Sequence, residues 1–326
     1  MLTLGIESTC DETGAAIVKD GRTILSNVLA SSADLHAKYG GVFPELACRR
    51  HTEVILPVID EAMSQANVSP DEIDLIAVAK GPGLVGALLI GMHVAKGLSI
   101  AWKKPLIGVN HVESHLYASM MHLEEIPTPA LGIVLSGGHT LLVKILSVGE
   151  YQLLGTTVDD AIGEAFDKVA TLLGLPYPGG PHVEQLALRG DLKAHSFNPG
   201  RVKRNPLDFS FSGLKTAVLY AVKGGGLYSA DLAAAFQETA FKDVANKAYL
   251  ASKTFPCQAI FMGGGVTANR RLRKIVADAF PEIPIYWPPG ELSLDNAAMI
   301  AGLGARKALQ GTDSLDLEVQ TRIPFA

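Results

Sequence analysis

His111 and His115 stand four residues apart in Val109-Asn110-His111-Val112-Glu113-Ser114-His115-Leu116. On a helix that spacing stacks two imidazoles one turn apart on one face, where together they can grip a metal ion. Two imidazoles do not complete a site, so a third ligand must come from elsewhere in the chain. Ser293-Leu294-Asp295-Asn296, just ahead of the last helical stretch, offers Asp295. On pattern alone Asp295 reads as the N-cap of that helix. The remaining carboxylates offer no better choice, and a His/His/Asp set with open positions suits iron(II) or zinc. A metalloprotease fits less well, because in H-E-x-x-H the Glu follows the first His directly. Glu113 instead lies about 200° round the helix from His111 and points away from the ion.

Phosphate-type chemistry has its own candidates. Phe261-Met262-Gly263-Gly264-Gly265-Val266-Thr267-Ala268-Asn269 has the order strand, glycine run, helix, in which backbone N–H groups can cradle a phosphate or nucleotide. A tight turn with Thr267 as N-cap accounts for it equally well. No Lys-Ser/Thr follows the glycines and their spacing is wrong for a dinucleotide fingerprint. Ser136-Gly137-Gly138-His139-Thr140 reads as a hairpin tip, which alone is usually only a turn. Its echo in Ser8-Thr9-Cys10-Asp11-Glu12 suggests two tips offering N–H groups to phosphates from opposite sides. Asp160, Glu164 and Asp167 share a helix face; the helix dipole accounts for the first two, and Asp167 is the better candidate for ligand hydroxyls.

These groups need elements to carry them. Leu2 to Glu7 and Thr13 to Val18 read as one hairpin, and Leu131 to Leu135 with Thr140 to Ile145 as its repeat in a second domain. Strands at Leu75 to Ala79 and Leu106 to Val109 alternate with helices at Pro44 to Asn67 and Gly83 to Trp102, an α/β pattern. The latter helix is read as buried, with Gly83, Ala87, Gly91 and Ala95 at four-residue spacing allowing close backbone approach. Further helices are predicted from Asp159 to Gly174, from His182, around Leu214 to Val222 and from Ala230 to Thr254. Residues 176–181 read as a rigid turn and 201–212 as a loop or small insertion. A strand at Ala259 to Met262 and a final helix from about Asn296 to Leu309 complete the pattern.

The composition bounds the classes. A chain of 326 residues, 48% hydrophobic and 19% charged, can bury two cores and is too apolar to be disordered. The apolar stretch from Gly83 to Trp102 carries His93 and Lys96 and several glycines, so no membrane span is expected. The start shows no basic n-region or cleavage site. Cys10, Cys48 and Cys257 are few and dispersed, which argues against a disulfide framework and points to the cytoplasm. A net charge of −5 predicts no general attraction to nucleic acid. Such binding would rest on local patches such as Arg201/Lys203/Arg204 or Arg270/Arg271/Arg273/Lys274, or on a partner.

The ordered stretches Leu4 to Thr13, Ala79 to Gly86, His111 to His115, Leu135 to Thr140, Glu164 to Lys168, Tyr177 to Pro181, Phe209 to Thr216, Gly264 to Arg270 and Asp295 to Ile300 carry a resemblance that covers the whole chain. The chain resembles the bacterial TsaD (YgjD) family, tRNA adenosine threonylcarbamoyltransferases of the acetate and sugar kinase, heat-shock chaperone and actin (ASKHA) superfamily. The resemblance implies a two-lobed actin-like α/β fold with duplicated mixed sheets. Residues 1–108 would form the first lobe, with the segment from about 296 to 326 packing back on it. Residues 109–295 would form the second, with a helical insertion and the active cleft between the lobes. The implied activity is acyl transfer from threonylcarbamoyl-AMP to the exocyclic amine of the adenosine 3′ to the anticodon (position 37), in tRNAs reading codons that begin with A. His111, His115 and Asp295 would hold iron(II), with zinc as the alternative. Leu135, Ser136, Gly137, Gly138 and His139 would line the phosphate and carbamoyl region. Asp167, Gly180 and Glu184 would hold ribose, and Asn269 the nucleoside. Glu12, Gly264 and Gly265 are further phosphate or nucleotide contacts, and an adenine nucleotide would suit the cleft.

No side chain stands out as a nucleophile, so direct attack by the tRNA amine is the simpler mechanism. The implied partners are tRNA, a TsaB-like paralogue, a TsaE-like ATPase and a TsaC/Sua-type synthase that supplies the adenylate. Two departures stand out: Glu184 replaces an Asp common in bacterial members, and Ser114 a Gly. Three rivals remain. An ASKHA small-molecule kinase does not explain paired His ligands, the protease label once attached to this family is opposed by the offset of Glu113, and a non-catalytic nucleotide sensor would close on ATP without acyl transfer.

Overall fold

Leu4 and Ile6 point to one side of the first strand while Gly5 faces the other, and this alternation organises the first half of the chain. The computed structural model describes residues 1–32, 35–36, 41–226, 228–323 and 325. Its strands are β1 (Leu2–Glu7), β2 (Glu12–Lys19), β3 (Thr23–Ser31), β4 (Leu75–Gly81), β5 (Leu106–Asn110), β6 (Ala130–Leu135), β7 (Thr140–Ser147), β8 (Glu150–Thr156), β9 (Ile260–Gly263) and β10 (Ile285–Tyr286). Its α-helices are α1 (Pro44–Ala66), α2 (Val85–Trp102), α3 (His111–Ala118), α4 (Ile162–Leu172), α5 (Gly179–Ala187), α6 (Ser212–Gly224), α7 (Ser229–Ser252), α8 (Arg270–Ala279) and α9 (Ala297–Lys307).

Two compact units result, one of Met1–Glu124 with Pro289–Phe325 and one of Glu125–Pro288. The first unit is built on a mixed sheet of order β3-β2-β1-β4-β5, with β1, β2 and β3 antiparallel and β1, β4 and β5 parallel. Leu4, Ile6 and Ile17 pack against Val54, Ile55 and Val58 of α1 and Met92 and Ala95 of α2. The opposite face takes α9, and Gly5 admits it: a Cβ there would meet the carbonyl of Ala297 and fall 2.7 Å from the Ala301 nitrogen. Helix α3, buried at all eight residues, packs beside α9. After α9 the chain crosses the edge strand β5. Asp313 bridges Leu106 and accepts from Gly108 N at 2.8 Å, which covers an otherwise open edge.

The second unit repeats the plan in the order β10-β9-β6-β7-β8. Leu131, Ile133 and Leu135 of β6 share a core with Ile162, Phe166 and Val169 of α4, Val183 of α5, Leu214 and Val218 of α6, Phe236 and Phe241 of α7, and Leu272 and Val276 of α8. Phe166 stacks on Phe241 with centroids 5.2 Å apart.

Several expectations need correction. The first unit extends to Glu124, past residue 108, because α3 packs on α9; it resumes at Pro289, ahead of Asn296. Helix α2 is buried on one face only, through Ala87, Leu88, Gly91, Met92 and Ala95, while Val85, Leu89 and Ile100 are exposed. Its small residues do admit a backbone: Gly83 lies under Thr9, and Ser8 Oγ donates to Ala87 O at 3.0 Å. It is the one helix among the described residues that is long and apolar enough to cross a membrane. Helix α5 starts at Gly179, inside the expected turn, because the Asp167 carboxylate accepts from Gly179 N at 2.7 Å and Pro181 in the first turn needs no partner. The last α-helix ends at Lys307. A 3-10 turn follows and the chain leaves it at Gly311, φ +136, so residues beyond form the edge cover instead of more helix.

Candidate functional site

Helix α3 follows β5 directly. Asn110, the last residue of β5, is the N-cap, and its Oδ1 accepts from Val112 N at 2.9 Å and Glu113 N at 3.3 Å. His111 and His115 then project from one face with ring centroids 4.7 Å apart and planes at 77°. Asp295 joins them from the loop before α9, with Oδ1 3.0 Å from His115 Nε2 and 3.6 Å from His111 Nε2. The N-cap of α9 is Asn296, whose Oδ1 accepts from Met299 N at 3.0 Å. Asp295 is therefore released from the capping role that pattern alone gave it.

A divalent cation fits this group on three grounds. The donor atoms of His111, His115 and Asp295 all lie within 4.8 Å of one another, the only such group among the described residues. Both ring nitrogens of buried His115 lack a hydrogen-bond partner, so its approach to Asp295 is a meeting of two electron-pair donors without hydrogen-bond geometry. Negative charge is also concentrated here. Burial, then Asp295, Asp11 and Glu7, push the Glu12 carboxyl up to about 10. Burial lowers the proton affinity of His111, but Glu7 and Asp295 outweigh it and push its pKa up to about 9. Two imidazoles and a carboxylate are ligands of the borderline type suited to iron(II) or zinc.

Glu7, at the end of β1, was not singled out by the sequence. Its buried carboxylate accepts from Thr9 N at 2.7 Å and Thr9 Oγ1 at 2.5 Å, and Oε2 lies 2.9 Å from His111 Nδ1. Glu113, set aside as a base, pairs with Lys307 Nζ of α9 at 2.8 Å. Residue separation hid both contacts: the partners are 104 and 194 positions apart.

The second unit gathers the glycine-rich candidates. Leu135 and Thr140 pair at the end of the hairpin, Ser136 N donates to His139 O at 2.9 Å, and His139 N donates to Ser136 Oγ at 3.0 Å. Gly137 and Gly138 face open space. Helix α4 presses on this tip through Gly163, whose N–H donates to Ser136 O at 3.2 Å. Gly264, at φ +91, lies against the Leu135 carbonyl, and Gly265 opens a 3-10 turn. Thr267 hydroxyl donates to Gly264 O, so it locks that turn, while Asn269 caps α8 by accepting from Arg271 N and Leu272 N. Asn269 Nδ2 donates to Gln237 Oε1 at 2.8 Å. Glu184 Oε1 accepts from Arg270 N at 2.7 Å, which ties α5 to the start of α8; Gly180 beside it is open. The structure thus joins Leu135, Ser136, His139 and Gly264 in one contact set. It gives Asp167, Glu184 and Asn269 helix-end partners that a substrate would share or displace.

The family model for tRNA N6-adenosine threonylcarbamoyltransferase (TsaD) matches residues 23–302. The chain belongs to the tRNA N6-adenosine threonylcarbamoyltransferase family. A relative of that name from Protochlamydia amoebophila (strain UWE25) is 57% identical over 338 residues, spanning 100% of this chain and 98% of the relative. Another from Anaeromyxobacter sp. (strain Fw109-5) is 50% identical, spanning 95% and 96%. Solved structures share the fold at low identity. Component A of (R)-2-hydroxyglutaryl-CoA dehydratase from Acidaminococcus fermentans gives a TM-score of 0.59 at 16% identity, over 95% of this chain and 99% of that one. HypF from T. kodakarensis gives 0.63 at 15%, over 95% and 47%. The paired five-stranded mixed sheets are thus the actin-like ASKHA fold.

Proposed function

We propose that this chain transfers the threonylcarbamoyl group from threonylcarbamoyl-AMP to the exocyclic amine of the adenosine 3′ to the anticodon in tRNA. The carrying observation, within a family of that name, is the His111/His115/Asp295 group with its unpartnered buried imidazole. In the reaction the amine nitrogen forms a bond to the carbamoyl carbon, the bond from that carbon to the phosphate oxygen breaks, and AMP departs while the amine loses a proton. Iron(II), or zinc in its place, would be held by His111, His115 and Asp295. When bound, such an ion supplies Lewis-acid polarisation of the carbamoyl group and neutralises the departing phosphate.

The remaining roles belong to the chain itself. The tip Leu135 to His139, with Gly264 and Gly265 behind it, offers N–H groups to the phosphate and carbamoyl region. Asp167, Gly180 and Glu184 would take the ribose and Asn269 the nucleoside; Glu12 is a further contact. The adenine nucleotide cleft, the TsaB-like and TsaE-like partners and the TsaC/Sua-type synthase belong to this same reading. Exposed Leu56, Val85, Leu89 and Ile100 on α1 and α2 support a protein partner of the TsaB-like kind. Three free, dispersed cysteines support a cytoplasmic setting.

The test incubates the protein with tRNA, threonine, bicarbonate, ATP, the synthase and the partner proteins, and reads nucleosides by mass spectrometry. Threonylcarbamoyladenosine is expected with the wild type and lost with His111→Ala. No modified nucleoside with any partner combination sinks the activity; product undiminished in His111→Ala sinks the metal assignment.

A further inference from the structure

Glu7 is fully buried at the end of β1, and its partners divide its two oxygens. Oε1 accepts from both the Thr9 amide and the Thr9 hydroxyl, while Oε2 faces His111 Nδ1 at 2.9 Å. We infer that Glu7 is a positioning residue for the metal centre, holding the His111 ring with Nδ1–H toward β1 and Nε2 toward His115 and Asp295. This rests on the reading that the His/His/Asp group binds a cation.

Oε1 takes both Thr9 hydrogens and Oε2 is a carboxyl acceptor, so in the Glu7–His111 contact the hydrogen is assigned to Nδ1. The Thr9 hydroxyl gives its hydrogen to Glu7 and meets Nδ1, 3.3 Å away, only as an acceptor. Both neighbours therefore favour the same tautomer. The opposite nitrogen, Nε2, is the one 3.6 Å from Asp295 Oδ1. A carboxylate behind a ligating imidazole fixes its tautomer and orientation and raises its basicity, and losing such a partner typically costs about 10- to 100-fold in metal affinity. The support is itself anchored: Ser8, next to Glu7, donates to Ala87 O in α2, and Gly83 packs under Thr9. His115 has no equivalent partner, so the inference is specific to His111.

Glu7→Gln tests it with almost no change of shape. The two Thr9 donors keep the amide oxygen, so the NH2 group faces His111, turns Nδ1 into an acceptor and moves the ring proton onto Nε2. Metal-free protein is titrated with cobalt(II) against a competing chelator, following the ligand-field absorption, with thermal unfolding measured alongside. Glu7→Gln should bind cobalt(II) roughly 10- to 100-fold more weakly with an altered band. Thr9→Val, which keeps the carboxylate and the amide donor, should change affinity less than about threefold, since the group that faces Nδ1 stays. Wild-type affinity and band in folded Glu7→Gln overturn the inference. If Glu7→Gln does not fold, zinc(II)-loaded wild type labelled with nitrogen-15 histidine decides: metal on Nε2 with Nδ1–H retained supports it, and metal on Nδ1 overturns it. Failure of the wild type to bind cobalt(II), or full binding by His111→Ala, removes the cation reading and this inference with it.

Discussion

The two sheets follow the same course, β3-β2-β1-β4-β5 in one unit and β8-β7-β6-β9-β10 in the other, yet their hairpin tips are chemically opposite. The tip after β1 works through side chains: Glu7 and Thr9 reach His111, and Glu12 feels Asp295. The tip after β6 works through backbone, with Gly137 and Gly138 open and Gly264 pressed against Leu135. Two ion-paired carboxylates also differ: Glu113 of the first unit is held by Lys307, while Asp160 of the second is shared by Lys168 and Lys215. In the proposed function the first half would bear the metal ligands and the second would present N–H groups to the substrate.

The largest effect expected from this contrast is on stability. Lys307→Met leaves Glu113, 5% exposed, without its ammonium, and breaking a buried pair typically costs 3–5 kcal/mol. Because Lys307 is itself one-third exposed, about 3 kcal/mol is expected by denaturant unfolding. Lys215→Met in the second unit should cost about 1 kcal/mol or less. The difference is expected because Asp160 keeps Lys168; equal costs would mean that the second lysine does not buffer the loss.

The two halves should also part company with pH. In metal-free protein the folded-state pKa of His111 is raised from 6.5 to about 9, so its contribution is complete below 6.5 and is lost as pH rises towards 9. That corresponds to about 3 kcal/mol at most. Asp160 behaves oppositely. Burial raises its pKa, but Lys168 and Lys215 overcome this and hold it low, so its contribution is present above the ordinary carboxylate range and fades as pH falls. Hydrogen exchange should show α3 loosening on the alkaline side and the start of α4 on the acid side. Saturating cobalt(II), which requires His111 Nε2 free of its proton, should flatten the alkaline loss in α3. An α3 indifferent to pH in the metal-free protein would contradict the charge arrangement.

A smaller effect separates the glycines of the second unit. Gly264→Ala puts a Cβ against the Leu135 carbonyl at φ +91 and should cost about 2 kcal/mol. Gly137→Ala and Gly138→Ala meet no atom, so stability should move by less than about 0.5 kcal/mol while affinity for the acyl-adenylate falls. Unchanged affinity in both tip variants would mean that the backbone there does not approach substrate.

What the sequence disclosed follows from the range of the forces involved. Both inner hairpins were legible because β-branched apolar runs flank small polar tips, and His111 and His115 because one helical turn sets their spacing. Strands β3 and β8 were missed: both lie at sheet edges and are largely exposed, so neither has the apolar alternation that marks a half-buried strand. The start of α5 was hidden because Gly179, Gly180 and Pro181 punctuate a turn, and only the distant Asp167 carboxylate makes them a helix. Glu7 was invisible for a similar reason, since nothing local distinguishes it from another strand-end acid. Asp295 was readable as a ligand candidate, but the reason it is available, the cap made by Asn296, required the fold.

The caps themselves set the finest comparison. Asn110 starts α3 one residue before the first His ligand, and Asn296 starts α9 one residue after the Asp ligand, so each cap fixes a backbone that carries a metal donor. Substituting either with Ala should cost about 1 kcal/mol of stability. Their effects on metal binding should differ. Asn296 Nδ2 also donates to Leu294 O at 2.8 Å and Leu292 O at 3.3 Å, holding the loop on which Asp295 sits. Helix α3 is instead held by eight buried residues and keeps its place without a perfect cap. Asn296→Ala should therefore weaken cobalt(II) binding several-fold more than Asn110→Ala, at matched loss of stability. The reverse order would mean that the histidine helix, and not the aspartate loop, is the less constrained side of the centre.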